Sequence, residues 1–264
     1  ILDGDGDGIS NYQEYYQGLN PTSNDTDNDG VLDGVDGSPR GNQPIVAGKL
    51  IELSDLNGDG NNEFANVVLD NGIVFTHILD GTRQIITTQY THILDSEQEA
   101  FTAVLSHYGS DTALIFFGVR TDELGLKRSR ALSINVATGS VNAIYNWPAI
   151  FDEPTLVQLD DINNDGTPEL GLSGIHNELS RPQMIVRDGV DGTAFTKYSF
   201  PSIFHSTQYK RFSDVNSDSV DDIAMMGRLL RNEKVQIKVT DAVSGELIHA
   251  YTFPNNWDDV SFHK

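Results

Sequence analysis

The 264-residue sequence contains no cysteine, which excludes a disulfide-stapled domain, thiolate metal sites and thiol catalysis. Basic residues are scarce: 17 Lys and Arg stand against 39 Asp and Glu, giving a formal net charge of -22. So acidic a chain is a poor partner for nucleic acid or an anionic membrane, both of which need a basic face. No apolar run reaches the roughly 18 residues of a membrane-spanning helix, so membrane insertion is not expected. Sustained helical periodicity is missing, as are a Gly-x-Ser-x-Gly elbow and a phosphate-binding glycine-rich loop. The seven histidines (His77, His92, His107, His176, His205, His249 and His263) are scattered without metal-ligand spacing. Initiating Met and signal peptide are also lacking, and the opening Ile1-Leu2-Asp3 reads as a processed product or a fragment.

What is present is repetition. Asp55-Leu-Asn57-Gly-Asp59-Gly-Asn-Asn-Glu63, Asp161-Ile-Asn163-Asn-Asp165-Gly-Thr-Pro-Glu169 and Asp214-Val-Asn216-Ser-Asp218-Ser-Val-Asp-Asp222 share one pattern. Their starts are separated by 161 − 55 = 106 and 214 − 161 = 53 residues, so a further copy is expected near residue 108. A degenerate one is there, with His107, Gly109 and Asp111 where the acids belong. Asp80-Gly81, Asn135 to Gly139, Asp188 to Gly192 and Asp241 to Gly245 keep the same period and read as hairpin turns. Trp147-Pro148, Phe200-Pro201 and Phe253-Pro254 make a third marker in register.

Each unit reads as about four short strands; in the third copy these are 156–159, 169–175, 183–187 and 194–200. Four strands in a repeat of about 53 residues predict an all-β protein of propeller-type blades, a β-solenoid being the rival. The units fall near 50–100, 101–152, 153–205 and 206–258, after an N-terminal region at 1–41. Residues 259–264 are expected to begin a fifth unit, or to supply a lone strand, Val260–His263, that closes a ring.

The N-terminal region has its own motif. Asp3, Asp5, Asp7, Gly8 and Glu14 occupy positions 1, 3, 5, 6 and 12 of an EF-hand loop. Alternate side chains of a tight loop converge on one point, glycine permits the bend, the Ile9 carbonyl adds an oxygen and Glu14 two more. A short helix over 10–17 is expected to carry Glu14. A second loop offers Asp25, Asp27, Asp29, the Val31 carbonyl and Asp36; aspartate in the last place predicts weaker binding. Asn20-Pro21 separates the two. This region resembles the bacterial relatives of thrombospondin type 3 repeats.

The loops at 55, 161 and 214, with the following apolar-apolar-Gly pattern of Met225-Met226-Gly227, resemble FG-GAP (VCBS-type) repeats of integrin-like propellers. That resemblance implies Ca²⁺ at Asp55, Asn57, Asp59, Glu63 and the Asn61 carbonyl. It implies a second at Asp161, Asn163, Asp165, Glu169 and the Thr167 carbonyl, and a third at Asp214, Asn216, Asp218, Asp222 and the Val220 carbonyl. With both N-terminal loops this makes about five Ca²⁺ sites. Ser219 in place of the turn glycine predicts the weakest binding at 214, and the unit at 107 is expected to be empty. Turn chemistry alone accounts for Gly and Asn, but not for carboxylates at alternate positions with a fourth acid eight residues on.

Several near-equivalent cages favour a structural role over one active centre. The expected function is a secreted or cell-surface adhesion or assembly module, with an extracellular protein or glycan, or copies of itself in a fibre, as partners. An unpaired strand at 260–263 would serve such assembly. The alternative is a propeller-fold polysaccharide lyase or hydrolase, for which Tyr209-Lys210-Arg211 and Lys127-Arg128-Ser-Arg130 are the candidate clusters.

Overall fold

The structure, a computed structural model, describes residues 2–17, 19–26, 32–34, 48–70, 72–81, 86–94 and 100–254. Asp27, Asp29, Val31, Asp36 and the 260–263 segment lie outside them. The chain forms two compact units, Ile1–Glu97 and Gln98–Lys264. The described residues are all-β apart from one short helix: sixteen strands in four antiparallel sheets of four, each joined in chain order.

In the first unit, helix α1 (Asn11–Gln17) starts where the sequence supplies a capping box. Gln13 N–H donates to Ser10 Oγ at 3.3 Å, and Ser10 N–H donates to Gln13 Oε1 at 3.0 Å, so two donors at the helix start are satisfied reciprocally. The sheet of this unit comprises β1 (Lys49–Glu52), β2 (Phe64–Asp70), β3 (Ile73–Leu79) and β4 (Ile86–Ile93). Along β3 the apolar and β-branched residues alternate between buried and half-buried faces, as a pleat with period two requires.

The second unit holds three sheets: β5 (Ala100–Tyr108), β6 (Asp111–Thr121), β7 (Lys127–Asn135) and β8 (Val141–Trp147); β9 (Thr155–Gln158), β10 (Leu170–His176), β11 (Arg181–Arg187) and β12 (Ala194–Ser199); and β13 (Phe204–Phe212), β14 (Asp222–Leu229), β15 (Val235–Thr240) and β16 (Leu247–Thr252). The strands of the third repeat fall within two residues of those expected from the sequence. The 53-residue period survives in three dimensions. Phe117, Leu170 and Ile223, spaced by that interval, are all buried, as are Val119, Leu172 and Met225.

Two cores join these three sheets. Phe117, Tyr145, Trp147, Phe151 and Leu170 pack between the β5–β8 and β9–β12 sheets. Leu159, Met184, Tyr198, Phe200 and Ile223 do the same between β9–β12 and β13–β16. Burying each such side chain is worth about 1.5–3 kcal/mol. Two of the three aromatic markers seen in sequence, Trp147 and Phe200, are core residues, while Phe253 is exposed; Trp147 stacks on Tyr145 with ring centroids 6.1 Å apart. A hydrogen bond repeats with the period as well. Tyr145 OH donates to the Gly189 carbonyl at 2.6 Å, and Tyr198 OH, 53 residues later, donates to the Ala242 carbonyl.

Candidate metal centres

The four acidic loops at 3, 55, 161 and 214 fold to one hydrogen-bonding plan. In each, the N–H of the sixth residue donates to the first aspartate: Gly8 to Asp3 at 3.3 Å, Gly60 to Asp55 at 2.8 Å, Gly166 to Asp161 at 2.8 Å and Ser219 to Asp214 at 2.9 Å. The N–H of the seventh donates to the fifth: Ile9 to Asp7 at 2.8 Å, and Asn61 to Asp59, Thr167 to Asp165 and Val220 to Asp218, each at 2.9 Å. Asn57, Asn163 and Asn216 accept the N–H of Asp59, Asp165 and Asp218 at 2.8, 3.0 and 3.1 Å. Backbone donors thus fix the side chains of the first, third and fifth residues in the three sheet loops, and of the first and fifth in the N-terminal loop.

The ninth residue of each sheet loop closes it from below. Glu63, Glu169 and Asp222 are buried, and each accepts the N–H of the loop's second residue: Leu56 at 2.6 Å, Ile162 at 2.6 Å and Val215 at 2.8 Å. One oxygen is thereby fixed. The other oxygen of Glu63 accepts from Asn57 Nδ2 at 2.8 Å, whereas Glu169 Oε1 and Asp222 Oδ1 have no hydrogen-bond partner. In the N-terminal loop both oxygens of the fully buried Glu14, both of Asp5 and Oδ2 of Asp7 are likewise without one.

Carboxylate oxygens come within 4.8 Å of one another in Asp3, Asp5 and Asp7, in Asp55, Asp59 and Glu63, and in Asp161, Asp165 and Glu169. Among the described residues the 214 loop does not gather so closely. Its last acid is an aspartate, one methylene shorter, and Ser219 sits at φ 77°, a left-handed conformation that costs a residue bearing a Cβ on the order of 1 kcal/mol. The degenerate copy has no comparable loop: β5 turns into β6 through Gly109 and Ser110, with Tyr108 opposite Asp111.

The electrostatics follow from burial. Glu14 is pushed up to about 7 by desolvation and then by Asp5, Asp7, Asp3 and Asp33. Glu169 is likewise pushed up to about 7 by desolvation, with Asp165, Asp161 and Asp188 adding to it. Burial raises Asp222 in the same direction, helped by Asp241, Asp218 and Asp214. Buried acceptors that lack donors and repel one another are satisfied by a hard cation with oxygen ligands, the preference of Ca²⁺. The residues present therefore fit such an ion.

Two sets of acids beside these loops escaped the sequence reading. Asp188 and Asp241 were expected only as hairpin turns. Asn163 Nδ2 donates to Asp188 Oδ2 at 2.9 Å, and the Asn216 amide stands beside Asp241 and helps lower its pKa, so the turn between the third and fourth strands of a sheet reaches the loop between its first and second. The spacing of about 27 residues was the available signal. Asp33 is the other: its carboxylate lies beside Asp7 and Glu14. Asp25 is half-buried, its carbonyl accepting from Ser23 Oγ at 3.0 Å.

These observations define the class: an all-β protein of repeated four-stranded antiparallel sheets carrying acidic loops. No known family matches the sequence, and no curated protein does. Among solved structures, the crystal structure of an ACO/RPE65 chimera is similar at a TM-score of 0.32 and 8% sequence identity, over 81% of this chain and 64% of that one. The chain spans less than two thirds of that structure, and a likeness of this depth carries no argument about function.

Proposed function

We propose that the chain is a secreted calcium-binding module whose four sheets are propeller blades, with Ca²⁺ making the blade loops and an N-terminal stalk rigid for extracellular adhesion or assembly. The observation that carries this reading is the set of buried acids (Glu14, Glu169 and Asp222) holding oxygens with no hydrogen-bond partner at the ends of loops that share one plan. Asp3, Asp5, Asp7 and Glu14 would hold one ion, the first, third, fifth and ninth residues of the loops at 55, 161 and 214 three more, and the loop beginning at Asp25, much of it outside the described residues, a fifth. The ion supplies positive charge and oxygen coordination; the chain supplies the preset turn. About five Ca²⁺ would bring the formal charge from -22 to -12, relieving repulsion inside each loop. The partner chemistry is an extracellular protein or a glycan, or further copies in a fibre.

Limited proteolysis in EGTA and in millimolar calcium tests the rigidifying role. Cleavage within 55–63 and 161–169 is expected in EGTA and suppressed in calcium; equal cleavage in both contradicts the reading. Monomeric behaviour at every calcium concentration would remove the fibre variant. The second reading, a polysaccharide lyase or hydrolase, draws on a groove of about 700 Å³ between β9 and β13 lined by Gln158, Ser173, Tyr209, Lys210 and Arg211. Against it, Arg211 is engaged by Asp221 at 2.7 Å and Asp160 at 3.5 Å, and Arg128 by Asp122 at 2.8 Å. Turnover of an acidic polysaccharide by the purified chain would reverse the ranking.

A further inference from the structure

The second N-terminal loop contributes an acid to the first. Asp33 is 4% exposed, and a carboxylate oxygen of it lies within 4.8 Å of oxygens on Asp7, 6% exposed, and Glu14, 0% exposed. Backbone packing builds this approach. A Cβ on Gly34 would stand 2.3 Å from the Asp7 carbonyl oxygen, so a residue without a side chain at 34 lets the turn dock on the first loop. Asp33 is also held from its own side. Its N–H donates to the Asn24 carbonyl at 3.0 Å, and its two oxygens accept from Thr26 N–H at 2.8 Å and Thr26 Oγ1 at 2.6 Å.

A carboxylate offers about four acceptor sites, and Thr26 uses two. Within 4.8 Å lie the carboxylates of Glu14 and Asp7, on which both oxygens of the one and Oδ2 of the other have no hydrogen-bond partner. Three buried carboxylates this close repel as anions, and nothing in Asp33's bonds to Thr26 relieves that. A cation does.

We propose that Asp33 is a ligand of the cation held by the first loop, so that one ion ties the two N-terminal loops together. The inference rests on the calcium reading above and adds to it a cross-link absent from either loop alone. Calcium then stiffens the loop at 3–14 and the turn at 32–34 as one body rather than as two independent turns.

The test is calcium titration of the full chain against a chromophoric chelator, with bound ions counted by native mass spectrometry. The variants are Asp33→Asn, Asp3→Asn, Asp25→Asn and the two pairs containing Asp33→Asn. The expected result is that D33N weakens one ion by about tenfold or more. D3N/D33N should lose no more than D3N, because both strip the same ion. Unchanged affinity in D33N overturns the proposal, and so does coupling to D25N in place of D3N. Absence of any bound calcium in the unaltered chain would instead overturn the calcium reading itself, so the two failures separate. Should D33N not fold, a crystal structure of the unaltered chain grown in calcium decides. An Asp33 oxygen about 2.3–2.6 Å from the ion held by Asp7 and Glu14 supports the proposal, and one beyond about 4 Å overturns it.

Discussion

Glu14, Glu169 and Asp222 stand at the closing positions of three loops, each in a place where a lone carboxylate is costly. Glu169 shows the balance most clearly. Its Oε2 anchors the Ile162 N–H at 2.6 Å while Oε1 faces Asp161 and Asp165 without a donor. Glu169→Gln keeps an acceptor for Ile162 and removes the repulsion. The metal-free variant is therefore expected to melt at the same temperature or higher, while its stabilisation by calcium falls by the contribution of one site. That contribution is about 2.7 kcal/mol at a calcium concentration 100 times the Kd. Paired thermal melts in EGTA and calcium read both quantities; an unaltered calcium response contradicts the role given to Glu169.

The raised groups also set a pH dependence. Glu14 and Glu169 titrate near 7 in the fold and near 4.5 in the unfolded chain, so the metal-free fold binds more protons across that window. Its stability falls as pH rises from about 4.5 to 7. Asp55, Asp122 and Asp191 are held low, by backbone donors first of all, and their contribution is lost as pH falls below the usual aspartate range. Metal-free stability is thus expected to peak near pH 4, between the usual aspartate range and about 4.5. In saturating calcium the slope between 4.5 and 7 reverses, because the ion binds the deprotonated acids. Melts across this range with and without calcium check the sign. At the 214 loop, Ser219→Gly removes a strained φ of 77° and is expected to raise stability by about 0.5–1 kcal/mol in urea titrations.

At the scale of elements, the sheets were legible because turn residues and apolar runs alternate with a fixed period, and strand limits in the third repeat needed little adjustment. The loops were legible for a different reason: alternate carboxylates in a tight turn are a local pattern. What was not legible is non-local. Asp188 reaches Asn163 across 25 residues, and Asp33 reaches Glu14 through a turn whose approach depends on Gly34; no local pattern carries either contact. Nor did sequence show that the aromatic pairs bond sheet to sheet. Tyr145→Phe and Tyr198→Phe each delete a buried hydroxyl donor to a carbonyl of the next sheet. Each should cost about 1 kcal/mol. Tyr251 occupies the same register on β16 but is 53% exposed, so Tyr251→Phe should be neutral. Equal effects in all three would contradict the inter-sheet role.

For the whole molecule, the net charge of -22 is the central fact: the acids are concentrated in loops whose backbone donors gather them, and a fold without cysteine has no disulfide to hold those loops. The most direct test of the account is thermal unfolding in excess EGTA and in millimolar calcium, with bound metal counted by native mass spectrometry. About five bound ions are expected, with a melting temperature raised by many degrees, since each saturated site adds a few kcal/mol. No bound metal and no shift would reduce the loops to acidic turns and contradict the account.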